Sequence, residues 1–339
     1  MNTEIYNIYG CKLKVTGSQS VLNYFELFFG NFKKINEFQF IIEIVPIFDN
    51  SALPIRVKGG KAGIDIIQTS SNAIKIIYNN FLDGVDYELL VNYARFLLYW
   101  FNKCQVHAGA VVKDGKSYVF FAPQNTGKTT LVLYLLRTGY SLLSDDWVII
   151  GKGGDAFFYP QPISIYDYNL AYSIDWCREF YGWRARLVQL VMLLRVKFKE
   201  KLVPKIPNRI ARFGIDWALS KAIKMIPQNI TNNNQGKIHK AFWLNRDRNF
   251  NRLLIKEIEK EDLINRATAT FMYEFSEYFR WYYLVAQKGN RIEYIENLKN
   301  HIKEILSDAL KDISCNEVLI PLHTSPQELG DAILKNISL

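Results

Sequence analysis

The most constraining feature of the sequence is an apolar strand that runs into a glycine-lysine-threonine loop and then into a helix. The strand is predicted over 118–121, and the loop Ala-Pro-Gln-Asn-Thr-Gly-Lys-Thr-Thr follows it directly. Leu131 and Leu135 then recur at helical spacing until Gly139, a residue type that commonly ends helices. This order of strand, loop and helix is typical of a nucleotide-binding α/β unit.

The loop contains the parts of a phosphate-binding loop. In such loops successive backbone N–H groups turn toward the phosphates, a lysine adds a positive charge, and the next hydroxyl holds Mg²⁺ at a helix N-terminus. The strict pattern has a glycine where Ala122 stands, so an ordinary helix-capping loop is the alternative. The predicted nucleotide contacts are Ala122, Pro123, Gln124, Asn125, Thr126, Gly127, Lys128, Thr129 and Thr130.

Two adjacent carboxylates, Asp145 and Asp146, begin 17 residues after Lys128. They fall within a strand predicted over 140–150, which we expect to pair beside the strand that enters the loop. Two carboxylates in this position can have different roles, since one can hold Mg²⁺ while the other accepts a hydroxyl proton. The alternative is an exposed pair of aspartates that begins a turn.

His107 stands at the start of another predicted strand, over 106–112. A lone histidine is usually structural, but Ala108 and Gly109 allow a close backbone approach that favours a site wall. The other histidines have no partners at ligand spacing and are predicted to be structural or surface residues: His239, His301 and His323.

Together, these motifs resemble the C-terminal catalytic domain of HPr kinase/phosphorylase and related HPr-kinase-like proteins. The resemblance rests on His-Ala-Gly-Ala at 107–110, the loop at 122–131 and Leu-Leu-Ser-Asp-Asp at 142–146. It covers about residues 103–165, with a weaker echo in the closing strand at 317–321. It implies an α/β fold with a P-loop core like that of phosphoenolpyruvate carboxykinase.

The same resemblance implies roles for particular residues. ATP and Mg²⁺ are the implied cofactors, with Lys128 and Thr129 at the phosphates and with Thr129 and Asp146 at the metal. Asp145, paired with His107, is implied as the base that deprotonates an acceptor serine. Arg246 is a candidate for the family arginine that contacts the acceptor, and a solvated strand end is the alternative.

The rest of the chain departs from that family. Residues 1–102 are predicted to be a small N-terminal α+β supporting domain without chemistry, with strands within 5–15, 40–45, 64–68 and 74–78 and a helix over 86–102. Residues 103–339 are predicted to be the P-loop domain, with a basic helical insertion at about 178–225. Because the N-terminal part and the insertion are foreign to the family, we expect an acceptor other than HPr.

The remaining elements of the larger domain follow from periodicity and capping residues. A strand is predicted over 238–244, helices over 262–283 and 291–310, a strand over 316–321, and a final helix from Ser325-Pro326.

The net charge of +9 is concentrated in the insertion. Between Arg178 and Lys224 there are twelve Lys and Arg residues against three acids, while the rest of the chain is balanced. This distribution indicates a local anionic partner rather than a nucleic acid. Over 183–202 the apolar residues, Leu190 and Leu194 among them, recur on one helical face. Docking on the protein's own core, recruitment of an acidic acceptor and peripheral attachment to anionic lipid are three interpretations.

We therefore predict an ATP- and Mg-dependent kinase that transfers the γ-phosphoryl to a hydroxyl of a peptide or protein, with serine preferred. A biosynthetic precursor peptide is one candidate acceptor. The alternative is a nucleotide-binding scaffold or sensor without turnover. Ala122 and the N-terminal part foreign to the family are the features that suggest it. Carboxykinase chemistry is disfavoured, since no further Lys/His metal-ligand set is found. Both a monomer and an oligomer are compatible with the sequence.

The compartment follows from the cysteines and the N-terminal sequence. The four cysteines (Cys11, Cys104, Cys177 and Cys315) have neither CxxC nor zinc-finger spacing, which indicates thiols in a reducing compartment. The first residues lack the pattern of a signal peptide, and no apolar run is long enough to span a membrane. We expect a cytoplasmic protein.

Overall fold

The computed structural model describes residues 1–29, 40–47, 55–57, 62–70, 73–79, 101–159, 163–165, 190, 194, 223–225, 235–287 and 293–338. The fold is mixed α/β, which confirms the predicted class. Residues 86–100 of the predicted N-terminal helix, most of the basic insertion and Cys177 lie outside the described residues. None of the helices formed by the described residues is long and apolar enough to span a membrane.

The structure contains strands in both halves of the chain. They are β1 Asn2–Ile8, β2 Cys11–Gly17, β3 Phe40–Ile47, β4 Ile55–Val57, β5 Ala62–Ser70, β6 Ala73–Asn79, β7 Lys103–Lys113, β8 Lys116–Phe121, β9 Ser141–Ser144, β10 Trp147–Gly151, β11 Asp155–Phe157, β12 Ile163–Ile165, β13 Ile223–Met225, β14 Gln235–Asp247, β15 Leu254–Glu257 and β16 Ser314–Pro321. The helices are α1 Gln19–Phe29, α2 Lys128–Arg137, α3 Lys260–Glu274, α4 Ser276–Ala286, α5 Glu293–Glu296, α6 Leu298–Ala309 and α7 Pro326–Ser338.

The chain divides into two compact units. The first comprises 1–106, 149–160 and 259–312, and the second comprises 107–148, 161–258 and 313–339. The domain boundary at 102/103 stays a prediction. In the first unit a six-stranded sheet has the order β1-β2-β3-β6-β5-β4, so the four predicted N-terminal strand regions are confirmed.

Two predicted helices of the first unit are each divided in the structure. The helix expected over 262–283 is α3 and α4, separated at Phe275, and that expected over 291–310 is α5 and α6, separated at Asn297. Neither position is a glycine or a proline, so local sequence does not encode the breaks. At the first break the Phe275 ring is buried and packs on Phe271 one helical turn earlier, with 4.6 Å between ring centroids.

The second unit is built around three parallel strands. β8 pairs with β14 and β14 pairs with β16, both in parallel, so the carboxyl ends of all three strands lie at one edge. β7 runs antiparallel to β8 and β15 runs antiparallel to β16. The tight turn at Asp114-Gly115 has positive φ at both residues, the geometry that two-residue hairpins favour.

The core of the second unit lies between this sheet and two helices. The stacked rings of Phe120 and Phe242 lie 5.3 Å apart between β8 and β14. Leu131 and Leu135 of α2 join the same buried cluster, together with Leu329 of α7. The helix that follows the Gly-Lys-Thr sequence is therefore held by apolar contacts on its inner face.

The prediction of one strand over 140–150 that pairs with the strand entering the loop is wrong in two respects. The structure divides it into β9 and β10, and Asp145-Asp146 form the turn between them. The Ser144 hydroxyl accepts the Trp147 N–H at 3.1 Å, a side-chain bond that closes the turn between the two strands. β9 pairs with β7 rather than with β8, because β7 and β14 occupy the two edges of β8.

The described part of the basic insertion departs from an all-helical segment at its end. Residues 223–225 form β13, which pairs antiparallel with β12, whereas the sequence predicts a helical stretch to 225. Both short strands place a polar residue between two apolar ones, and such pairing depends on a partner far along the chain. Leu190 and Leu194 are helical, and each is 53% exposed.

Gly109 of β7 is a point of close approach. A Cβ on this residue would lie 2.9 Å from Cγ2 of Val132 in α2 and 3.3 Å from the carbonyl oxygen of Asp145. Both distances are shorter than ordinary van der Waals contact, so β7, α2 and the aspartate turn can pack this closely only at a residue without a side chain.

We expect Gly109→Ala to lower the free energy of unfolding by about 1–3 kcal/mol through overpacking. Replacing a glycine within a strand also gains about 0.5–1 kcal/mol from the lower backbone entropy of alanine. This gain is smaller than the overpacking cost, so the net change is still destabilising. Urea unfolding measures the change. In a Val132→Ala background, which removes the clashing methyl group, the same substitution should cost less, and an equal cost in both backgrounds would contradict the contact.

Candidate functional site

The candidate site lies at the carboxyl edge of the parallel strands of the second unit. The loop Ala122–Gly127 follows β8, Arg246 lies near the end of β14, and Leu322 follows β16. Ala108 of β7 pairs with Phe121 of β8, so His107 also lies at this edge. Ligands of open α/β sheets commonly bind outside the carboxyl ends of the strands.

The loop between β8 and α2 contains two left-handed residues. Asn125 has a φ of 61° and Gly127 a φ of 103°, while Ala122 is not among the residues with positive φ. The position at which the strict pattern has a glycine therefore does not require one here. The Thr126 hydroxyl donates to the Pro123 carbonyl at 2.9 Å, which closes the loop from within.

Lys128 is buried, with 6% of its surface exposed, which is uncommon for a lysine. Its Nζ turns back beneath the loop and donates to the carbonyl oxygens of Ala122 at 3.1 Å and Pro123 at 3.0 Å. The ammonium thus replaces its lost hydration with loop carbonyls, as a buried cation must. Both bonds place its charge at the loop.

The first turn of α2 offers backbone donors to an anion. The first intrahelical bond runs from the Leu131 N–H to the Gly127 carbonyl, so the N–H groups of Lys128, Thr129 and Thr130 precede the helical ladder. Gly127 supplies no side-chain cap to this helix. The positive end of the helix dipole adds to the charge of Lys128 at the same place.

His107 and Asp146 form a hydrogen-bonded pair. His107 Nε2 lies 2.8 Å from Asp146 Oδ1, and because an ionised carboxylate only accepts, the ring nitrogen donates. The His107 side chain is 1% exposed and that of Asp146 is 47% exposed. The ring packs 5.0 Å from Trp147, and the Ala108 N–H donates to the Asp146 carbonyl at 3.0 Å.

This pairing corrects the one that the family resemblance implies. The resemblance pairs His107 with Asp145, whereas the hydrogen bond from the ring goes to Asp146. Asp145 is only 7% exposed. The Asp146 side chain, by contrast, is 47% exposed, so the two adjacent aspartates face different surroundings.

Arg246 lies against the loop rather than at a solvated strand end. Its Nε donates to the Thr126 carbonyl and its Nη1 to the Leu322 carbonyl, both at 3.2 Å. Burial lowers the pKa of its guanidinium, which stays charged because arginine begins so high. Sequence reasoning selected Arg246 for the acceptor and missed Leu322 entirely, since no local pattern shows that the loops after β8 and β16 meet.

The donors present suit a metal ion that is held chiefly by phosphates. Among the described residues no group of three or more His, Cys, Asp or Glu side chains could hold a metal ion by itself. Mg²⁺ on a nucleotide usually needs only one or two carboxylates besides phosphates and waters. Thr129, half-buried in the first turn of α2, and the two aspartates have the oxygen chemistry that this ion prefers.

The remaining described histidines are His239, His301 and His323, and the last of these follows Leu322 directly in sequence. His239 lies edge-on to Tyr118, with 5.9 Å between ring centroids, and burial followed by Lys116 and Lys240 lowers its pKa. His301 Nδ1 lies 3.7 Å from a Glu304 oxygen, and His323 is exposed.

Comparison with known proteins finds a likeness to solved structures but none to a described family. No protein-family model matches the sequence, and no curated protein matches it. The fold is similar to that of the HPr(Ser) kinase/phosphatase from Coxiella burnetii, with 12% identity and a TM-score of 0.30 over 69% of this chain and 95% of that chain. At this identity and TM-score, no residue role passes from that enzyme to this chain.

We expect Lys128→Met to destabilise the ligand-free protein by about 1–3 kcal/mol, because two loop carbonyls lose their donor while the apolar stem is kept. The shift of the urea midpoint at unchanged slope measures it. Lys116→Met, at an exposed lysine of β8, is the matched control and should change little. Equal midpoints for the two variants would mean that the loop does not depend on the buried ammonium.

Proposed function

We propose that the protein is an ATP- and Mg²⁺-dependent kinase with a P-loop core like that of phosphoenolpyruvate carboxykinase. It would transfer the γ-phosphoryl group to a hydroxyl, with serine preferred, of a peptide or protein. The observation that carries the proposal is the meeting of three features at one sheet edge. These are the Lys128 loop, the N-terminal turn of α2 and the His107–Asp146 pair.

The distances in the sheet fit phosphoryl transfer. The Ala108 N–H donates to the Asp146 carbonyl on one side of β7, and Ala108 pairs with Phe121 of β8 on the other side. Asp146 therefore lies two strand spacings, roughly 10 Å, from the strand that enters the loop. A triphosphate held by the loop and by the first turn of α2 would bridge that gap. Catalysis of this kind consists mainly of positioning and charge stabilisation.

Each side chain has a distinct role in the proposed reaction. Loop N–H groups and Lys128 bind the phosphates, and Asp146 accepts the proton of the acceptor hydroxyl while His107 orients it. Asp146 suits this role better than Asp145 because its carboxylate is the more exposed of the two. Thr129 and the buried Asp145 would then face the metal. When bound, Mg²⁺ supplies positive charge against the phosphates.

The rival proposal is a nucleotide-binding scaffold or sensor without turnover. One feature in its favour is Ala122, which stands where the strict loop pattern has a glycine. Because Ala122 does not have a positive φ, its side chain places no strain on the loop. The His107–Asp146 pair is a further feature that a scaffold would not need.

We expect Asp146→Asn to bind Mg-ATP with nearly unchanged affinity but to transfer phosphate about 100- to 10,000-fold more slowly, because an amide cannot accept the proton. Asp145→Asn should weaken the Mg²⁺ dependence of ATP binding instead. Calorimetry with and without Mg²⁺, together with transfer of labelled γ-phosphate to serine peptides, separates the two effects. If Asp146→Asn transfers at the wild-type rate, the base lies elsewhere. Wild-type binding of ATP without transfer would favour the scaffold.

For the acceptor we propose an acidic segment that binds the basic stretch Arg178 to Lys224. Twelve cationic residues against three acids exceed what a helix docked on its own core requires, and the two helical leucines, Leu190 and Leu194, are exposed. Such attraction acts over about 8 Å at physiological ionic strength and weakens with salt.

Reversing the charges of Lys197, Lys199 and Lys201 to Glu should therefore raise the KM for an acidic serine peptide and leave ATP affinity unchanged. The wild-type KM should rise with salt, and that of the triple variant should not. Sedimentation of wild-type protein with anionic liposomes, lost in the variant, would indicate a membrane partner instead. If the variant behaves like wild type in both assays, the segment is structural.

A further inference from the structure

Arg246 joins two loops that follow different strands. It lies near the end of β14, between β8 and β16, and its guanidinium donates to Thr126 on one side and to Leu322 on the other. A planar guanidinium with fixed N–H directions can hold two carbonyls at once, which an ammonium cannot do in the same way. The proposed transfer reaction does not by itself require this clamp.

The carbonyl that Arg246 holds belongs to the peptide between Thr126 and Gly127. The described residues contain no cis peptide bond, and in a trans peptide the C=O and N–H groups point in opposite directions. Fixing the Thr126 oxygen toward the guanidinium therefore turns the Gly127 N–H away from it. With a φ of 103°, Gly127 has a conformation open mainly to glycine, and glycine is the residue with the most backbone freedom to lose.

We propose that Arg246 is a positioning residue that holds the Thr126–Gly127 peptide so that the Gly127 N–H faces the phosphate chain of the nucleotide. The inference rests on the phosphate site proposed above and assigns Arg246 to the loop instead of the acceptor. Two of its nitrogens are engaged by carbonyls, and Nη2 lies 3.5 Å from where a Gly127 Cβ would be. A Cβ at 127 would therefore lie in ordinary van der Waals contact with the guanidinium.

The test compares Arg246→Gln and Arg246→Lys with Arg248→Gln, at an exposed arginine two residues further along. ATP and inorganic tripolyphosphate, both with Mg²⁺, serve as probes in calorimetry. Arg246→Gln should bind both about tenfold more weakly, because one phosphate-facing donor loses its fixed direction. The loss of affinity should be equal for the two probes, because the affected contact is to the phosphate chain, which both probes have. A contact to the base would affect only ATP, since tripolyphosphate has no base. Arg246→Lys should recover only part of it, and Arg248→Gln should bind as wild type does.

The ¹⁵N backbone order parameter of Gly127 in the ligand-free proteins adds a reading that does not depend on binding. It should be lower in both Arg246 variants than in wild type and in Arg248→Gln. If Arg246→Gln does not fold, Arg246→Lys decides the question by the same two measurements. Wild-type affinity and a wild-type order parameter in Arg246→Lys would overturn the clamp. Failure of the wild-type protein to bind either probe would overturn the phosphate site itself.

Discussion

The geometry of the candidate site depends on the close packing of three backbone segments at Gly109. Gly109 lies in the strand that contains His107, and both the helix that begins at Lys128 and the turn that contains Asp145 come within contact distance of it. Protein interiors are packed densely enough that one methyl group there would push the segments apart. The relative positions of the loop, the histidine and the aspartates are thus set by a residue that has no functional group.

The loop itself is held in place by two cations. Lys128 bonds the carbonyls of Ala122 and Pro123 from beneath, and Arg246 bonds that of Thr126 from the neighbouring strand. Both cations are at least partly removed from water, so each needs these acceptors to offset the loss of hydration. A loop that is ordered in this way before a ligand arrives loses less conformational entropy on binding.

The two aspartates show how a short polar segment acquires unequal environments. In a continuous strand their side chains would point to opposite faces of a sheet, and nothing local would distinguish them functionally. The Ser144 hydroxyl instead bonds the Trp147 backbone and makes a turn of the segment. Asp145 is then buried, while the exposed Asp146 carboxylate accepts a hydrogen bond from a buried ring.

The sequence alone determined the features that follow from local chemistry. The strand, loop and helix around Gly127, the Asp114-Gly115 hairpin and the end of α2 near Gly139 were predictable because backbone freedom and side-chain periodicity act over a few residues. Only the tertiary structure decided the neighbours of β8, the burial of Lys128, the partner of His107 and the contact of Arg246 with the loop. His107 and Asp146 are 39 residues apart and Arg246 and Thr126 are 120 apart, and no local pattern encodes contacts at such separations. They form because parallel strands bring distant segments to one edge, where burial requires that each polar group find a partner.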